Sequence, residues 1–344
     1  MALLARALAE RGHSVAHIIF QPTEPTTLTY PVTLVNREQR SASRRRIVRG
    51  LLEARTIWRA LRAADAAVVV LRSASPVVGL VALYCRLRRR ILIFSSSNIS
   101  DFTLERMSSR WTKLAYRLGL RFVTAVVVQS EDQRLLARQK LPFLPRVVHI
   151  PSLADAIPRQ PGASPPPDTF LWFGRTVPEK QPLRYVELAR SLPEARFTMI
   201  PTDVGLYPQL HSEIEAAARA APNLVILEPL PHEQLSQLIA HSVAVVNTST
   251  LEGMPNAFLE AWLAGVPVLT YEFDPDGVVA GRSLGVAAGA SWNRFVAGAR
   301  ELWESRSERE EIARRVRAHV AETHSVEAVG ARWGALIEEL QRDL

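Results

Sequence analysis

Two carboxylates stand eight positions apart in the stretch EGMPNAFLE, Glu252 to Glu260. Ionised carboxylates only accept hydrogen bonds, so each suits a pair of donating hydroxyls such as those of a sugar. Gly253 lets the backbone come close to a ligand, and Pro255 suits the first turn of a helix. The amides of Asn256, Ala257 and Phe258 are then free at a helix N-terminus, where aligned peptide dipoles favour an anion such as phosphate. Two readings stay open on this spacing. One is a helix N-terminus that receives a phosphorylated ligand, with an acid at either end of it. The other is a loop charge followed by a solvated helix residue.

The surrounding pattern alternates short β-branched runs with longer amphipathic stretches, which points to parallel α/β sheets. Strands are expected at 14–20, 66–71, 91–96, 125–130 and 146–151. A Pro/Gly/Ser-rich segment, 159–169, breaks every periodicity and reads as a linker. A second series follows at 170–174, 196–201, 223–229, 243–249 and 266–271. From residue 308 to the end the pattern reads as helical throughout. The domains expected are 1–158, a linker at 159–169, 170–325, and a C-terminal helix at 326–344. Two doubly wound domains facing a cleft would bind a ligand beyond the carboxyl ends of their strands. EGMPNAFLE lies at such an end, between the apolar run VAVVNTS and a helix closed by Gly265.

With 344 residues, 47% hydrophobic and 22% charged, the chain reads as a soluble globular protein. No window approaches a membrane-spanning run, and Cys85 is the only cysteine. A cytoplasmic protein, with a peripheral place at the inner membrane face as its variant, is the expectation. Residues 1–155 carry 25 Lys+Arg against 10 Asp+Glu, and residues 156–344 carry 17 against 24, which together give the net +8. The basic excess clusters at Arg37, Arg40, Arg44, Arg45 and Arg46, and again at Arg86 to Arg90. Without interleaved aromatics of a nucleic-acid motif, an anionic membrane surface is the better partner, and nucleic acid is not expected. The competing reading is an Arg-rich solvated face, since Arg outnumbers Lys 39 to 3. No metal site is expected, and His13, His149 and His232 read as structural.

TSTLEGMPNAFLEAWLAGVPVL resembles the Glu-x7-Glu signature of the retaining glycosyltransferases of family 4, through Glu252, Gly253, Pro255, Leu259, Glu260, Ala261, Gly265, Pro267 and Val268. FGRTVPEKQP is similar to that family's Gly-Arg…Glu-Lys loop, ALAERGHSV to a helix of its acceptor domain, and VVHIPSLAD to its pre-linker segment. The resemblance implies the two-domain GT-B fold, in which Rossmann-like domains face a cleft, and a metal-independent transfer of a hexosyl-type sugar from a nucleotide-sugar, as in polysaccharide biosynthesis. A saccharide or lipid-linked molecule would be the acceptor, with no separate cofactor. Arg175 and Lys180, following Gly174, would bind the donor diphosphate, with Met254 and Asn256 alongside. Glu260 would hold the ribose hydroxyls, and Glu252 the transferred sugar. Base recognition would use strand-end loops such as IPTDVG and EPLPHE.

Two departures temper the resemblance. Family members begin with a strand and a Gly-rich loop before the LARALAERGH helix, whereas Met1 stands inside that helix. The implied strand is central in its sheet, and its lack would leave an apolar slot. After ILIFSS, many relatives carry a histidine where this chain has SSSNISDF. Asp101 is the candidate catalytic group there and Asn98 an acceptor contact, against a loop that merely starts the next helix. Gln129, at the end of AVVVQS, is a second acceptor candidate. The alternatives are a non-catalytic or degenerate GT-B binding protein and, further off, a nucleotide-sugar epimerase.

Overall fold

The computed structural model describes residues 2–19, 32–36, 46–72, 74–104, 109–154 and 168–343. Arg37, Arg40, Arg44, Arg45, the side chain of Arg46 and most of the expected linker lie outside the described residues. The chain divides into two compact units, Met1–Leu153 with Ser325–Leu344, and Ala154–His324.

The first unit runs α1 (Ala2–Glu10), β1 (Val15–Ile19), β2 (Val32–Asn36), α2 (Arg46–Ala64), β3 (Val68–Arg72) and α3 (Val77–Leu87). It continues with β4 (Ile91–Ser95), α4 (Ser100–Thr103), α5 (Arg110–Leu120), β5 (Ala125–Val128), α6 (Glu131–Lys140) and β6 (Val147–His149). Its strands form two parallel ladders, β1-β2 and β3-β4-β5-β6, with β1 starting at Val15↔Val32 and β3 at Val68↔Ile91. Every residue of β4 and β5 is buried, as expected of parallel strands covered on both faces. All five residues of β3 remain half-exposed. One core layer places Ile57, Leu61, Tyr84 and Tyr116 from α2, α3 and α5 on the sheet. The other places Leu4 and Leu8 of α1 beside Trp333 and Leu340 of the C-terminal helix.

The second unit runs β7 (Thr169–Arg175), α7 (Pro182–Ser191), β8 (Phe197–Thr202), α8 (Pro208–Ala218), β9 (Leu224–Ile226), α9 (His232–Ala240) and β10 (Ser242–Asn247). After these come α10 (Asn256–Ala264), β11 (Val268–Thr270), α11 (Val278–Gly281), β12 (Gly285–Ala287), α12 (Trp292–Glu304) and α13 (Arg306–Thr323). Its six strands are all parallel, in the order β12-β11-β10-β7-β8-β9. The order reverses between β7 and β10, which is where an open α/β sheet presents a crevice at its carboxyl edge.

Three details differ from the sequence expectation. Strands β2 and β12 are additional to those expected. The end of the chain is not helical throughout: α13 stops at Thr323, and α14 (Val326–Arg342) restarts after Ser325, whose hydroxyl accepts from the Ala328 N–H at 3.1 Å. That break is where the chain leaves the second unit, so α14 belongs to the core of the first. Among the described residues no helix is long and apolar enough to cross a membrane.

Candidate functional site

Strands β7 and β10 are hydrogen-bonded neighbours, and the loops leaving their carboxyl ends carry the residues that the sequence singles out. After β7 the chain makes a short 3-10 turn, Pro178–Lys180, before α7. After β10 it passes through Thr248 and Ser249 to Pro255 and α10. Three bonds stitch the loops together: the Thr248 hydroxyl donates to the Lys180 carbonyl at 2.6 Å, and the Thr250 N–H and hydroxyl to the Glu179 carbonyl at 3.0 and 3.4 Å. Trp172, within β7, donates its indole N–H to the Thr248 hydroxyl at 3.1 Å. The same stitching brings the Lys180 ammonium onto Glu252 Oε1, which also accepts from the Ser249 hydroxyl at 2.8 Å.

The side chains of Lys180 and Glu252 retain only 19% and 13% exposure. A pair so far removed from water is held by geometry as well as by charge, because each ion loses solvation that only its partner restores. Arg175, in contrast, is exposed at the end of β7, and its guanidinium has no partner among the described residues. Gly174 precedes it, and a Cβ there would lie 3.9 Å from Lys180 Cε. The site therefore holds one cation engaged by a carboxylate and one that is available.

Pro255 caps α10 with φ −64° and ψ 126° and offers no side-chain hydrogen bond to the first turn. Of the three amides expected to be free, that of Phe258 donates to the Pro255 carbonyl at 3.0 Å. The amides of Asn256 and Ala257 have no acceptor among the described residues. Gly253 is buried and Met254 packs against the core of this unit. Gly265 closes the helix at φ +77°, a conformation that strains other residues, and a Cβ there would push the Arg317 guanidinium aside.

Glu260 is half-buried, and its Oε2 is shielded from water with no partner. Burial raises its pKa above the usual carboxylate value, and the field of His232 pulls it partly back. His232 opens α9, so it is nearer to the chemistry than its structural reading from sequence implied. Nothing in one dimension joins it to Glu260, because the two meet only through the packing of α9 against α10. Ser249 and Thr248 were also not anticipated; a hydroxyl three residues before Glu252 is the only linear hint.

The strand ends of the first unit are arranged differently. Asp101 is 4% exposed, and its carboxylate accepts from the N–H groups of Ala74, Ser97 and Asn98 and from the hydroxyls of Ser96 and Ser97, at 2.7 to 3.3 Å. Arg72 is partly buried nearby: burial lowers its pKa, and the charge of Asp101 opposes that shift. A carboxylate receiving five donors has little capacity left for a substrate, so the geometry gives Asp101 a positioning place between the ends of β3 and β4. Asn98 Oδ1 accepts from the Ser100 N–H at 2.9 Å, which leaves its Nδ2 without a partner among the described residues. Gln129 is 5% exposed; its N–H donates to Gln133 Oε1 at 2.8 Å and its carbonyl accepts from His149 Nε2 at 3.2 Å.

The expectation of no metal site overlooks one Asp-x-Asp tripeptide, Asp274-Pro275-Asp276. The Asp274 carboxylate accepts from the N–H groups of Val279 and Ala280 at 2.8 and 3.0 Å, which makes it a cap for α11. Among the described residues no three His, Cys, Asp or Glu side chains gather as a metal-ligand set.

Residues 1–156 match the family model described as Glycosyltransferase Family 4, and residues 154–319 match that described as Glycosyl transferases group 1. Among solved structures, the chain is similar to sucrose-phosphate synthase from Thermosynechococcus elongatus, with a TM-score of 0.77 at 14% identity, over 99% of this chain and 92% of that one. It is similar to Anabaena Alr3699/HepE in complex with UDP and glucose, with a TM-score of 0.72 at 15% identity, over 98% and 94%. The pneumococcal O-GlcNAc transferase GtfA in complex with UDP and GlcNAc gives a TM-score of 0.64 at 16% identity. There the match covers 84% of this chain but 60% of the other, so the chain spans about three fifths of that relative. At such identities the likeness is one of fold, and the fold is GT-B.

Proposed function

Taking the chain as what its two family matches make it, a glycosyltransferase of GT-B fold, we propose that it moves a sugar with retention from a nucleotide-sugar to a saccharide or lipid-linked acceptor. The observation that carries this reading is the set of polar groups with spare capacity on adjacent strand ends of one sheet. Among the described residues Arg175 has no partner, two amides at the head of α10 are open, and Glu260 holds a buried oxygen with nothing to accept from. A nucleoside diphosphate satisfies all of them: ribose hydroxyls donate to Glu260, and diphosphate oxygens accept from the amides of Asn256 and Ala257 and from Arg175.

Lys180 would complete the diphosphate site by turning part of its charge from Glu252 to the departing phosphate. Glu252 is then released to accept from a hydroxyl of the sugar. Arg175 and Lys180 thus neutralise the charge that grows on the leaving group, which is the kind of fixed electrostatic stabilisation that commonly dominates catalysis. In this reading they do so without a metal ion. The loops at the strand ends of the first unit, with Asn98 and Gln129, would receive the acceptor.

UDP is the first nucleotide to test, because HepE and GtfA hold it in their structures. Calorimetric titration of the protein with UDP should show binding in the micromolar range, unchanged by EDTA, that weakens in Arg175→Ala. No heat with UDP, GDP or ADP would remove the assignment. Proton NMR of the first-formed product should show the anomeric configuration of the donor, and inversion would remove the retaining mechanism.

A further inference from the structure

Half of the large apolar side chains left exposed among the described residues lie in and just beyond two helices of the first unit, α3 and α5. In α5, Trp111 is 80% exposed, and Leu114, Leu118 and Phe122 continue its stripe at steps of three and four residues. In α3, Leu83 and Leu87 are 50% and 63% exposed. The two helices are locked side by side: a Cβ on Gly119 would come within 2.7 Å of the Gly79 backbone, so the glycine pair permits their contact. At their far end the Arg86 guanidinium sits 4.8 Å from the centre of the Phe122 ring. The outward faces of α3 and α5 therefore make one surface.

Its charge is one-sided. Neither helix contains an acidic residue. Arg110, Lys113, Arg117 and Arg121 interleave with the apolar stripe of α5, and Arg88 and Arg89 follow α3 as exposed residues. Apolar side chains flanked by long cationic ones, on two helices without carboxylates, match the boundary between anionic headgroups and acyl chains. Trp111, the most exposed of them, is the side chain most favoured at that depth. A second copy of the chain is a poor occupant, because two such faces would set like charges against each other. Nucleic acid fits no better, since leucines neither stack on bases nor read their edges.

We propose that the outward faces of α3 and α5 form a docking surface for an anionic lipid bilayer. The surface uses residues other than the arginines at positions 37–46 and those of the strand-end site, and it stands whether or not the chain transfers sugars. If it does, a lipid-borne acceptor and the first unit would share one plane.

Co-sedimentation with vesicles tests this on the full chain. Vesicles of phosphatidylcholine with 30% phosphatidylglycerol should pull the protein down, binding should fall steeply with salt, and pure phosphatidylcholine should bind far less. Arg110→Gln, Arg117→Gln and Arg121→Gln together should lower the partition coefficient about a hundredfold, at roughly fivefold per charge. Trp111→Ser with Leu118→Ser should lower it about tenfold or more with the charges intact. Leu206→Ser with Tyr207→Ser, exposed apolar residues of the second unit, should leave it unchanged. The α5 variants should keep the wild-type melting temperature and wild-type UDP affinity, so that unfolding and failure of the donor site are each seen separately. Undiminished binding by the α5 variants, or its abolition by replacing Arg37, Arg40, Arg44 and Arg45 alone, would overturn the assignment. A wild-type dimer in light scattering that becomes monomeric in the Trp111→Ser, Leu118→Ser variant would overturn it too, by giving the face to a second copy.

Discussion

Both units end their parallel strands in loops rich in hydroxyls and carboxylates, yet the two loop sets treat those groups in opposite ways. In the first unit Asp101 gathers five donors from the ends of β3 and β4, and Asn98 turns its oxygen back on the Ser100 N–H. In the second unit, among the described residues, Glu260 keeps a shielded oxygen without a donor, the exposed Arg175 has no acceptor, and two amides of α10 are open. A buried polar group without a partner costs about 1–3 kcal/mol, and Glu260 carries that cost beside a cation and amides free to take a ligand. In the proposed reading the donor site therefore belongs to the second unit, and the Asp101 loop of the first would be a frame. The first unit also leaves apolar surface exposed, on α3 and α5.

The sharpest way to break this contrast is at Lys180, which is engaged by Glu252 and, in the proposed reaction, needed by the ligand. Lys180→Ala should lower kcat/KM by about a hundredfold or more, the size seen when one stabilising donor of a transition state is removed. It also leaves Glu252 with only the Ser249 hydroxyl, so a lower melting temperature should accompany it. The double variant Lys180→Ala, Glu252→Gln should regain the melting temperature but not the rate. Recovery of both would make the pair a purely structural bridge.

The next test addresses the frame. Asp101→Asn keeps the shape but replaces an acceptor by a donor facing donors, and should cost the first unit about 3 kcal/mol. If, as proposed, the loop positions the acceptor, KM for acceptor should rise about tenfold while UDP affinity stays unchanged. Loss of kcat with an unaltered acceptor KM, in protein that remains folded, would instead make Asp101 a catalytic group and erase the difference between the two loop sets.

Legibility from sequence followed the same divide. Buried parallel strands such as Ile91–Ser95 and Ser242–Asn247 are continuous apolar runs and announce themselves. Strand β12, three half-exposed residues at a sheet edge, carries too little apolar signal to be seen, and β2 is a short run close behind a proline. Glu252, Lys180 and the head of α10 were visible because their types and spacing lie within short segments. That Lys180 and Glu252 neutralise each other, 72 residues apart, was not, since it depends on β7 and β10 being neighbours. Asp101 was visible as a residue but its partners were not, because its five donors come from three loop positions after β4 and one after β3. The α3–α5 surface was half visible: the arginines stand out in sequence, while the exposure of the leucines between them is a property of packing.

A smaller effect is expected at Glu260. Burial raises its folded pKa above the ordinary value of 4.5, so the folded state holds a proton more readily than the unfolded chain. Stability therefore falls as pH rises through the interval between those two values, and the ionised carboxylate is a burden on the empty protein at neutral pH. Glu260→Gln should melt slightly higher than wild type at pH 7.5, with the gain disappearing below pH 4.5, and should bind UDP about tenfold more weakly. A variant that is less stable and binds UDP normally would make Glu260 an ordinary helix residue.

The smallest effect reports on how α10 is held, and it too separates the units. Trp262, in the middle of that helix, meets His319 edge-on at 5.4 Å, and His324 lies 5.2 Å from His319. His319 is 6% exposed; burial first, and then the charge of Arg282, lower its pKa from 6.5 to about 4. Arg282 is itself within 3.8 Å of Glu322 on the same helix as His319. With its folded pKa below its unfolded one, His319 is protonated first in the unfolded chain, so stability rises with pH between about 4 and 6.5 and is complete above that. His17 in β1 shifts in the same direction, but it is only half-buried. Acidification from pH 7 to 4.5 should therefore loosen the second unit before the first, and hydrogen exchange should quicken in peptides of α10 and α13 ahead of those of β4 and β5. His319→Phe keeps the ring contact with Trp262 and removes the proton, so the acid-induced exchange at α10 should be reduced and the midpoint of unfolding should shift down by a fraction of a pH unit. An identical acid profile in His319→Phe would place the sensitivity elsewhere, and earlier exchange in β4 and β5 would reverse the order of the two units.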